Sequence, residues 1–389
     1  MQWPGSGKWA CSGNECSKMI ILAILSFAIW CWLWIFHGQF WRSGPILPVA
    51  TPDHTPSITV IVPARDEAPL IGRTIQSLLN QTYTGSFRVI MVDDRSEDGT
   101  ADIVRTLNDP RVTIISGADR PTGWAGKLWA VHQGVLAGGS PDYFFLTDAD
   151  IEHETTHLAS LVAFAERNDL DLTSEMVALS RDSWAEKLLI PAFVFFFQVL
   201  YPFAWVNNPL RATAAAAGGS VLIRRRALIR IGGIEAVRGA LIDDVALASV
   251  VKTGGRIFLG HSAQARSVRP YSSAADVWRM IARSAYAQLR YSPILLLGTV
   301  LAMAIVWIVP PALTLFGHGS ARGLGAVTWA LLTASYLPTL SRFRGSFLWA
   351  SLLPIIALFY LAATLGSAVN YHRGRGVVWK GRAYAGGMP

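Results

Sequence analysis

Tyr143-Phe144-Phe145-Leu146-Thr147-Asp148-Ala149-Asp150-Ile151 is the stretch whose reading decides the fold. Four apolar residues running into Asp, Ala, Asp read as a buried strand that feeds a site at its carboxyl end. In an extended chain residues two apart project to the same face, so Asp148 and Asp150 are expected side by side. Such a pair needs a positive charge between its members. Hard divalent cations, Mg2+ or Mn2+, take carboxylate oxygens, and a short Asp-x-Asp hook leaves room for phosphate oxygens to complete the shell. Alone, the pattern is more often a solvated turn or a helix cap; the flanking chain overturns that reading.

Upstream, from residue 57, strand and helix patterns alternate: strands over 58–62, 87–92 and 112–115, helices near 70–79 and 101–107. Such a series predicts a parallel α/β sheet with ligands at the strands' carboxyl ends. Two of these strands also end in polar sets, Ala64-Arg65-Asp66-Glu67 and Asp93-Asp94-Arg95-Ser96-Glu97-Asp98-Gly99-Thr100. With Asp148 and Asp150 they bring three acidic strand ends to one crevice, which a plain structural protein has little reason to gather. Taken singly, Asp93 and Asp98 serve equally well as turn and helix caps, and Lys127 as a solvated lysine.

At Val62-Pro63-Ala64-Arg65-Asp66-Glu67, at Val92-Asp93-Asp94-x-Ser-x-Asp98-Gly99-Thr100, at Gly126-Lys127 with Ala130 and Gly134, and at Thr147-Asp148-Ala149-Asp150, the sequence resembles the family 2 glycosyltransferases of the nucleotide-sugar-binding GT-A fold. The resemblance implies that Ala64 and Glu67 flank the nucleotide, Asp94 receives the base and Lys127 lies near the diphosphate. It gives ribose and metal to Asp148 and Asp150, Asp150 being the stronger metal ligand. Asp243-Asp244 stands where the family carries its catalytic pair, with Asp244 as base toward the acceptor and Asp243 orienting neighbours. An extended backbone there turns the two side chains opposite ways; the bland reading has both capping a helix that begins at Val245. The small residues 214–220 around Gly218 and Gly219 allow backbone to approach a sugar on the acceptor side, though close packing explains them equally. The strings Leu189-Ile190-Pro191-Ala192-Phe193, Ala240-Leu241-Ile242-Asp243-Asp244 and Gln288-Leu289-Arg290-Tyr291-Ser292-Pro293 look similar to the hopene-associated glycosyltransferases of hopanoid-making bacteria. Arg290 and Tyr291 occupy acceptor-side places of the wider family, but the Gln or Arg expected three residues before Arg290 is Ala287. That departure argues against a long-chain polymer synthase.

The chain has 389 residues, 52% of them apolar and only 15% charged, which marks a membrane protein. Its net charge of +8 is spread among apolar runs rather than gathered on a polar face, which argues against nucleic acid as partner. No Asp or Glu follows Asp276, whereas ten Lys or Arg do. Cys11, Cys16 and Cys31 all precede or lie within the first apolar run, so the central domain folds without disulfides, as cytosolic domains do. Residues 19–36 are long enough to span a bilayer and carry no clear cleavage site. The expected organisation is an N-terminal segment and transmembrane helix over 1–44, a Pro-rich linker over 45–56, the GT-A domain over 57–290, and a multi-pass membrane region with a basic tail over 291–389.

Residues 184–206 form a second apolar stretch. Were it to span, Asp148 and Asp243-Asp244 would fall on opposite sides of the membrane, so it is read as an interfacial segment. His153-Glu154-Thr155-Thr156-His157 matches the zinc-protease pattern, yet it starts three residues after Asp150 and carries adjacent β-branched threonines, a poor setting for one catalytic helix. His153 is read as a partly exposed helix histidine. The tail has apolar runs at 293–316, 324–340 and 347–369. Three crossings would leave Arg373, Arg375, Lys380 and Arg382 outside, against the positive-inside tendency, so one run is expected to be re-entrant and the tail cytosolic.

The resulting expectation is a metal-dependent, inverting glycosyltransferase of the bacterial inner membrane. It moves a sugar from a uridine diphosphate sugar to a lipid hydroxyl at the cytosolic face, in hopanoid or related isoprenoid synthesis. A polyprenyl-phosphate or ceramide-like glycolipid transferase shares the chemistry but not the acceptor. A non-catalytic membrane scaffold would need neither acidic pair.

Overall fold

The computed structural model describes residues 13–374, 378–379 and 382–383. Cys11, Arg375 and Lys380 lie outside them; Cys16 and Cys31 are free thiols on the first helix, α1 (Gly13–Phe36). The α/β alternation follows as β1 (Ile58–Ala64), α2 (Ala68–Leu79), β2 (Phe87–Asp93), α3 (Thr100–Thr106), β3 (Val112–Ser116), α4 (Gly126–Ala137) and β4 (Tyr143–Leu146). β1 and β4 are buried at every position, as uninterrupted apolar strands covered on both faces must be. These four strands are parallel in the order β3-β2-β1-β4. The order reverses between β1 and β4, and a crevice opens at the strand ends where it does. Gly134 lets α4 lie close on this sheet: a Cβ there would stand 2.6 Å from Ile61 Cγ2.

The second half departs from a purely parallel sheet. β5 (Ile151–His153), α5 (His157–Arg167), β6 (Leu172–Ala178), α6 (Trp184–Leu200), α7 (Phe203–Val206), β7 (Val221–Arg224), α8 (Arg225–Arg230), α9 (Asp243–Lys252) and β8 (Ile257–Ser267) complete it. β7 runs antiparallel to β4 and β6, and β5 antiparallel to β8, giving a mixed eight-stranded sheet ordered β3-β2-β1-β4-β7-β6-β8-β5.

Beyond the sheet lie α10 (Ala274–Ala282), α11 (Ala285–Gln288), α12 (Pro293–Met303), a π turn (Ala304–Ile308), α13 (Val309–Phe316), α14 (Gly319–Arg342) and α15 (Leu353–His372). Among the described residues three helical stretches are long and apolar enough to cross a membrane: Asn14–Phe36, Pro293–Phe316 and Phe347–His372. The expected run at 324–340 falls within α14, which is not among them. α14 nevertheless packs along α1 and α13, and its last residue, Arg342, donates to Ser43 O and Gly44 O just after α1 ends. α15 is fastened to neighbours of the sheet domain along its length: Tyr360 Oη donates to Leu189 O, Ser367 Oγ to Ala282 O, and His372 Nε2 meets Tyr286 Oη.

The 184–206 stretch is two helices, broken at Tyr201-Pro202. α6 begins with a Ser183–Glu186 capping box and buries Leu189, Ile190, Ala192 and Phe195 in one cluster with Trp30, Trp307, Tyr336 and Tyr360. Its apolar surface is therefore largely covered by the chain's own helices. Its two ends are tied to Tyr271 O, through Ser183 Oγ, and to His37, through Val199 O.

Candidate active site

The crevice gathers residues from four elements. β4 stops at Leu146, and Asp148, Ala149 and Asp150 form a turn that leads into β5, rather than the last residues of a strand. Asp148 and Asp150 thus reach the strand end as expected, but each meets a different cation. Lys127, on the first turn of α4, places Nζ 2.7 Å from Asp148 Oδ1 and 3.2 Å from Asp243 Oδ2. Arg269, just past β8, places Nε 2.7 Å from Asp150 Oδ2 and Nη2 2.5 Å from Glu67 Oε1.

Asp243 and Asp244 open α9 in helical conformation, not extended. Successive helical residues still diverge, by about 100°. Asp243 faces Lys127, while Asp244 accepts from Gly218 N at Oδ2 and from Val245 N at Oδ1, both at 2.8 Å. The helix cap itself is Ile242, so the pair is directed at the crevice instead of serving as N-cap. Gly218 lies close to the charged groups: a Cβ there would stand 3.0 Å from Lys127 Nζ and 3.5 Å from Asp244 Oδ2, so a side chain would press on both. Gly219 faces the other way, toward Val177 and Ile151, and its role is packing.

The electrostatics follow from crowding acids into a half-buried cleft. Burial and the neighbouring Asp243 raise the Asp244 carboxyl to about 6, against the pull of Lys127 and the two N–H donors. Burial raises Asp148 as well, opposed by Lys127 and aided by Asp150 and Asp243. Burial disfavours the Lys127 ammonium, but Asp148, Asp243 and Asp244 outweigh it and raise its pKa, so it stays charged.

The remaining expected residues divide. Ala64 ends β1, and its carbonyl accepts from Asp94 N at 2.8 Å. Asp94 is buried, with Oδ2 3.8 Å from Arg65 Nη1. Asp93 and Asp98 hold turns, accepting from Ser96 N and from Ala68 and Thr100 N. Arg290 and Tyr291 both adopt left-handed backbone after α11, and Tyr291 stacks on Tyr371 4.5 Å away, at the membrane-helix side of the molecule. Two further side chains meet on the α6 side of the cleft, Tyr201, which no motif marked, and Gln288 of the 288–293 string. Gln288 Nε2 donates to Tyr201 Oη, and the Tyr201 hydroxyl, raised chiefly by burial, also feels the charge of Asp244. Neither Tyr201 nor Arg269 sits in a recognisable motif; only the fold brings them to the cleft.

The zinc-protease pattern is dismantled by the fold. His153 is a buried residue of β5 and not an exposed helix residue, because the chain re-enters the sheet at Ile151; His157 opens α5. Thr147 Oγ1 donates to Gly219 O and so accepts from His153 Nε2. Burial and His157 hold His153 neutral, with its Nδ1 accepting from His157 Nδ1 at 2.9 Å. His157 Nε2 shares a proton with Glu175 Oε2 at 2.6 Å. Every ring nitrogen is engaged, and neither histidine is turned toward Asp150.

The donor set fits a hard divalent cation. Lys127 and Arg269 take one oxygen each from Asp148 and Asp150, and the acids outnumber these cations in the cleft. Among the described residues no three His, Cys, Asp or Glu side chains form a metal cage. Two carboxylates completed by donor phosphates is the usual arrangement for Mg2+-type sites.

Residues 59–232 match the model of Glycosyl transferase family 2. The sheet has the GT-A fold, and this segment, less than half of the chain, is similar to family 2 glycosyltransferases. Two relatives are "4,4'-diaponeurosporenoate glycosyltransferase" of Staphylococcus aureus (strain bovine RF122 / ET3-1), 35% identical over 95 residues, and of Staphylococcus haemolyticus (strain JCSC1435), 35% identical over 105. These alignments cover 24% and 26% of this chain and the same shares of the relatives, so the chain matches about a quarter of their length. A mannosyltransferase of Pyrobaculum calidifontis, in complex with GDP-Man and Mn2+, superposes with a TM-score of 0.55 over 89% of this chain and 98% of its own, at 21% identity. The matched segment runs from β1 to α8 and carries Lys127, Asp148 and Asp150, whereas Asp243, Asp244, β8, Arg269 and the helices that follow lie beyond it.

Proposed function

We propose that this chain is a metal-dependent, inverting glycosyltransferase of a bacterial inner membrane, multi-pass with its catalytic domain cytosolic, transferring a sugar from a nucleotide donor to a lipid acceptor. The observation that carries the reading is the convergence of Asp148, Asp243 and Asp244 around Lys127, at the sheet's switch point and beside helices that join the membrane cluster. Ala64, Glu67 and Asp94 line the nucleotide side. Asp148 and Asp150 would hold Mg2+ or Mn2+, which when bound neutralises charge on the departing diphosphate. Asp244, fixed by Gly218 N and Val245 N, takes the proton of the acceptor hydroxyl. Asp243 holds Lys127 beside Asp148 so that the ammonium faces the diphosphate. A single displacement with Asp244 as base inverts the anomeric centre. The Tyr201–Gln288 contact joins α6 to α11 within reach of this base's charge, and the acceptor approaches along that side. A uridine diphosphate sugar is the donor of this reading, and a hopanoid or related isoprenoid alcohol its acceptor.

A second acceptor reading is an isoprenoid acid, supported by the Staphylococcus relatives, whose name specifies a carboxylate acceptor. Detergent-solubilised protein incubated with a panel of nucleotide sugars and membrane lipid extract, with products weighed by mass spectrometry, tests both. Hexose added to a lipid in a donor-dependent manner supports the reading; donor that is neither consumed nor transferred refutes it.

A further inference from the structure

Arg269 stands apart from the residues assigned above. Its loop leaves β8 at Ser267, and Val268 N donates to Asp150 O at 2.8 Å, so the loop is clamped directly against the Asp148–Asp150 turn. Arg269 then spans two carboxylates, with Nε on Asp150 Oδ2 at 2.7 Å and Nη2 on Glu67 Oε1 at 2.5 Å. Two residues later Tyr271 N donates to Glu186 Oε1 at 2.6 Å and Tyr271 O accepts from Ser183 Oγ at 3.0 Å, which fixes the far end of the loop to the cap of α6. The guanidinium is therefore held at the mouth of the cleft with little freedom except about its own side chain.

A divalent ion on Asp150 either takes the remaining oxygen, Oδ1, beside the guanidinium or displaces Nε from Oδ2. Two cations within a few ångströms of one carboxylate also repel each other, so the ion and the arginine cannot share it in full. The two partners of Arg269 differ in what they can give up. Glu67 is buried, 6% exposed, and its own N–H is bound to Thr100 Oγ1 at 2.8 Å, whereas Asp150 is one of the two carboxylates suited to a metal. Losing Asp150 leaves the Arg269 fork tethered on one side and open on the other. The nearest new anion is the one that arrives with the metal, and planar guanidinium groups bind phosphate oxygens well.

We propose that Arg269 is a donor-binding residue that exchanges partners: it neutralises Asp150 before the donor arrives, yields that carboxylate to the divalent metal, and then binds the donor diphosphate while Glu67 keeps hold of it. This rests on the glycosyltransferase reading and its metal assignment.

The test uses the full chain in detergent. Free Mn2+ is titrated by electron paramagnetic resonance without nucleotide, and UDP and GDP binding is measured by calorimetry at saturating Mn2+. Arg269→Gln is expected to bind Mn2+ about fivefold more tightly or better and to bind the nucleoside diphosphate that wild type prefers about tenfold more weakly, within the usual range of coupled binding. Arg269→Lys, a point charge that cannot span both carboxylates, falls between on both measures and serves if the Gln variant fails to fold. Opposite signs are the diagnostic, since a purely structural residue would weaken both. Unchanged or weaker Mn2+ binding in the Arg269 variants, or undiminished nucleotide binding, overturns the proposal. If Asp150→Asn abolishes Mn2+ binding while the Arg269 variants leave it unmoved, the exchange alone is wrong. If wild type binds neither Mn2+ nor nucleotide, the metal reading falls and the proposal with it.

Discussion

Replacing Asp244 by Asn tests the base directly, because the change keeps the shape and removes only the proton acceptor. The structure sets the expected stability cost. Asp244 is raised from 3.8 to about 6, so above pH 6 its ionised form costs the folded state about 3 kcal/mol, at 1.36 kcal/mol per unit. The sign is that of a carboxylate with raised pKa: the folded state holds the extra proton, and stability falls as pH rises from about 4 to 6. Asn removes that cost. It also turns an NH2 toward either Gly218 N or Val245 N, forfeiting one hydrogen bond at about 1–3 kcal/mol. The two effects offset each other near neutral pH, so the variant should fold with a melting temperature close to wild type. Transfer should fall by about 10²–10⁴, equivalent to roughly 3–5 kcal/mol of barrier, while UDP binding in Mn2+ is retained. Wild-type kcat/KM should rise tenfold per unit below pH 6 and level off above it, and that rising limb should vanish in the variant. The assay is radiolabelled sugar transfer to extracted lipid, followed from pH 5 to 8. A variant that keeps the limb, or that loses less than about tenfold, would refute Asp244 as base. The second outcome is the one expected if the acceptor is already an ionised acid.

Asp150→Asn should abolish Mn2+ binding and donor turnover, as should chelator on wild type; full turnover in either removes the metal from the reaction. Gly134→Ala should destabilise, because its methyl would stand 2.6 Å from Ile61 Cγ2, costing about 1–3 kcal/mol of overpacking against a helix-propensity gain of at most about 1; a melting temperature that rises would contradict the packing argument. His157→Leu strands Glu175 in the core and should cost about 3–5 kcal/mol in thermal unfolding, with no bound zinc in either protein. Single cysteines at Asp182 and Leu210, in a background without the native ones, should both be shielded from an impermeant thiol reagent in intact cells; labelling of just one would mean that 184–206 crosses the membrane.

The alternation of strands and helices up to β4 was legible because β1, β2 and β4 carry continuous apolar runs bounded by polar turns, the pattern a doubly covered parallel strand requires. Glu67, Asp94, Asp148 and Asp150 were legible for a related reason, since they follow the ends of such strands, whereas Asp243 and Asp244 open a helix and were marked by the family resemblance alone. What the sequence hid was set by chain reversals. The turn at 147–150 splits Asp148 from Asp150 and gives them separate cations, which period-two reasoning cannot foresee. Antiparallel β5 and β7 join the sheet from distant places in the chain, so His153 is buried although its local sequence looks like an exposed helix start. Arg269 is separated from Glu67 by about two hundred residues and carries no local signal at all.

The burial of α6 in the same cluster as Trp30, Trp307 and Tyr360 bears on how the molecule can be handled. Truncation at residues 57 and 290 would yield a fragment with the whole sheet and every acid named above. It would also uncover Ile190, Phe195, Val277 and Ile281, each now at most 8% exposed. At about 1.5–3 kcal/mol per large apolar side chain, uncovering these four costs on the order of 6–12 kcal/mol, comparable to the entire stability of a typical domain. The 57–290 fragment is therefore expected to lose its fold in water. Solubilising agents have to wrap the outer helices without prying α6 loose, because displacing the side chains packed on Phe195 would unsettle the sheet domain at a distance from the cleft.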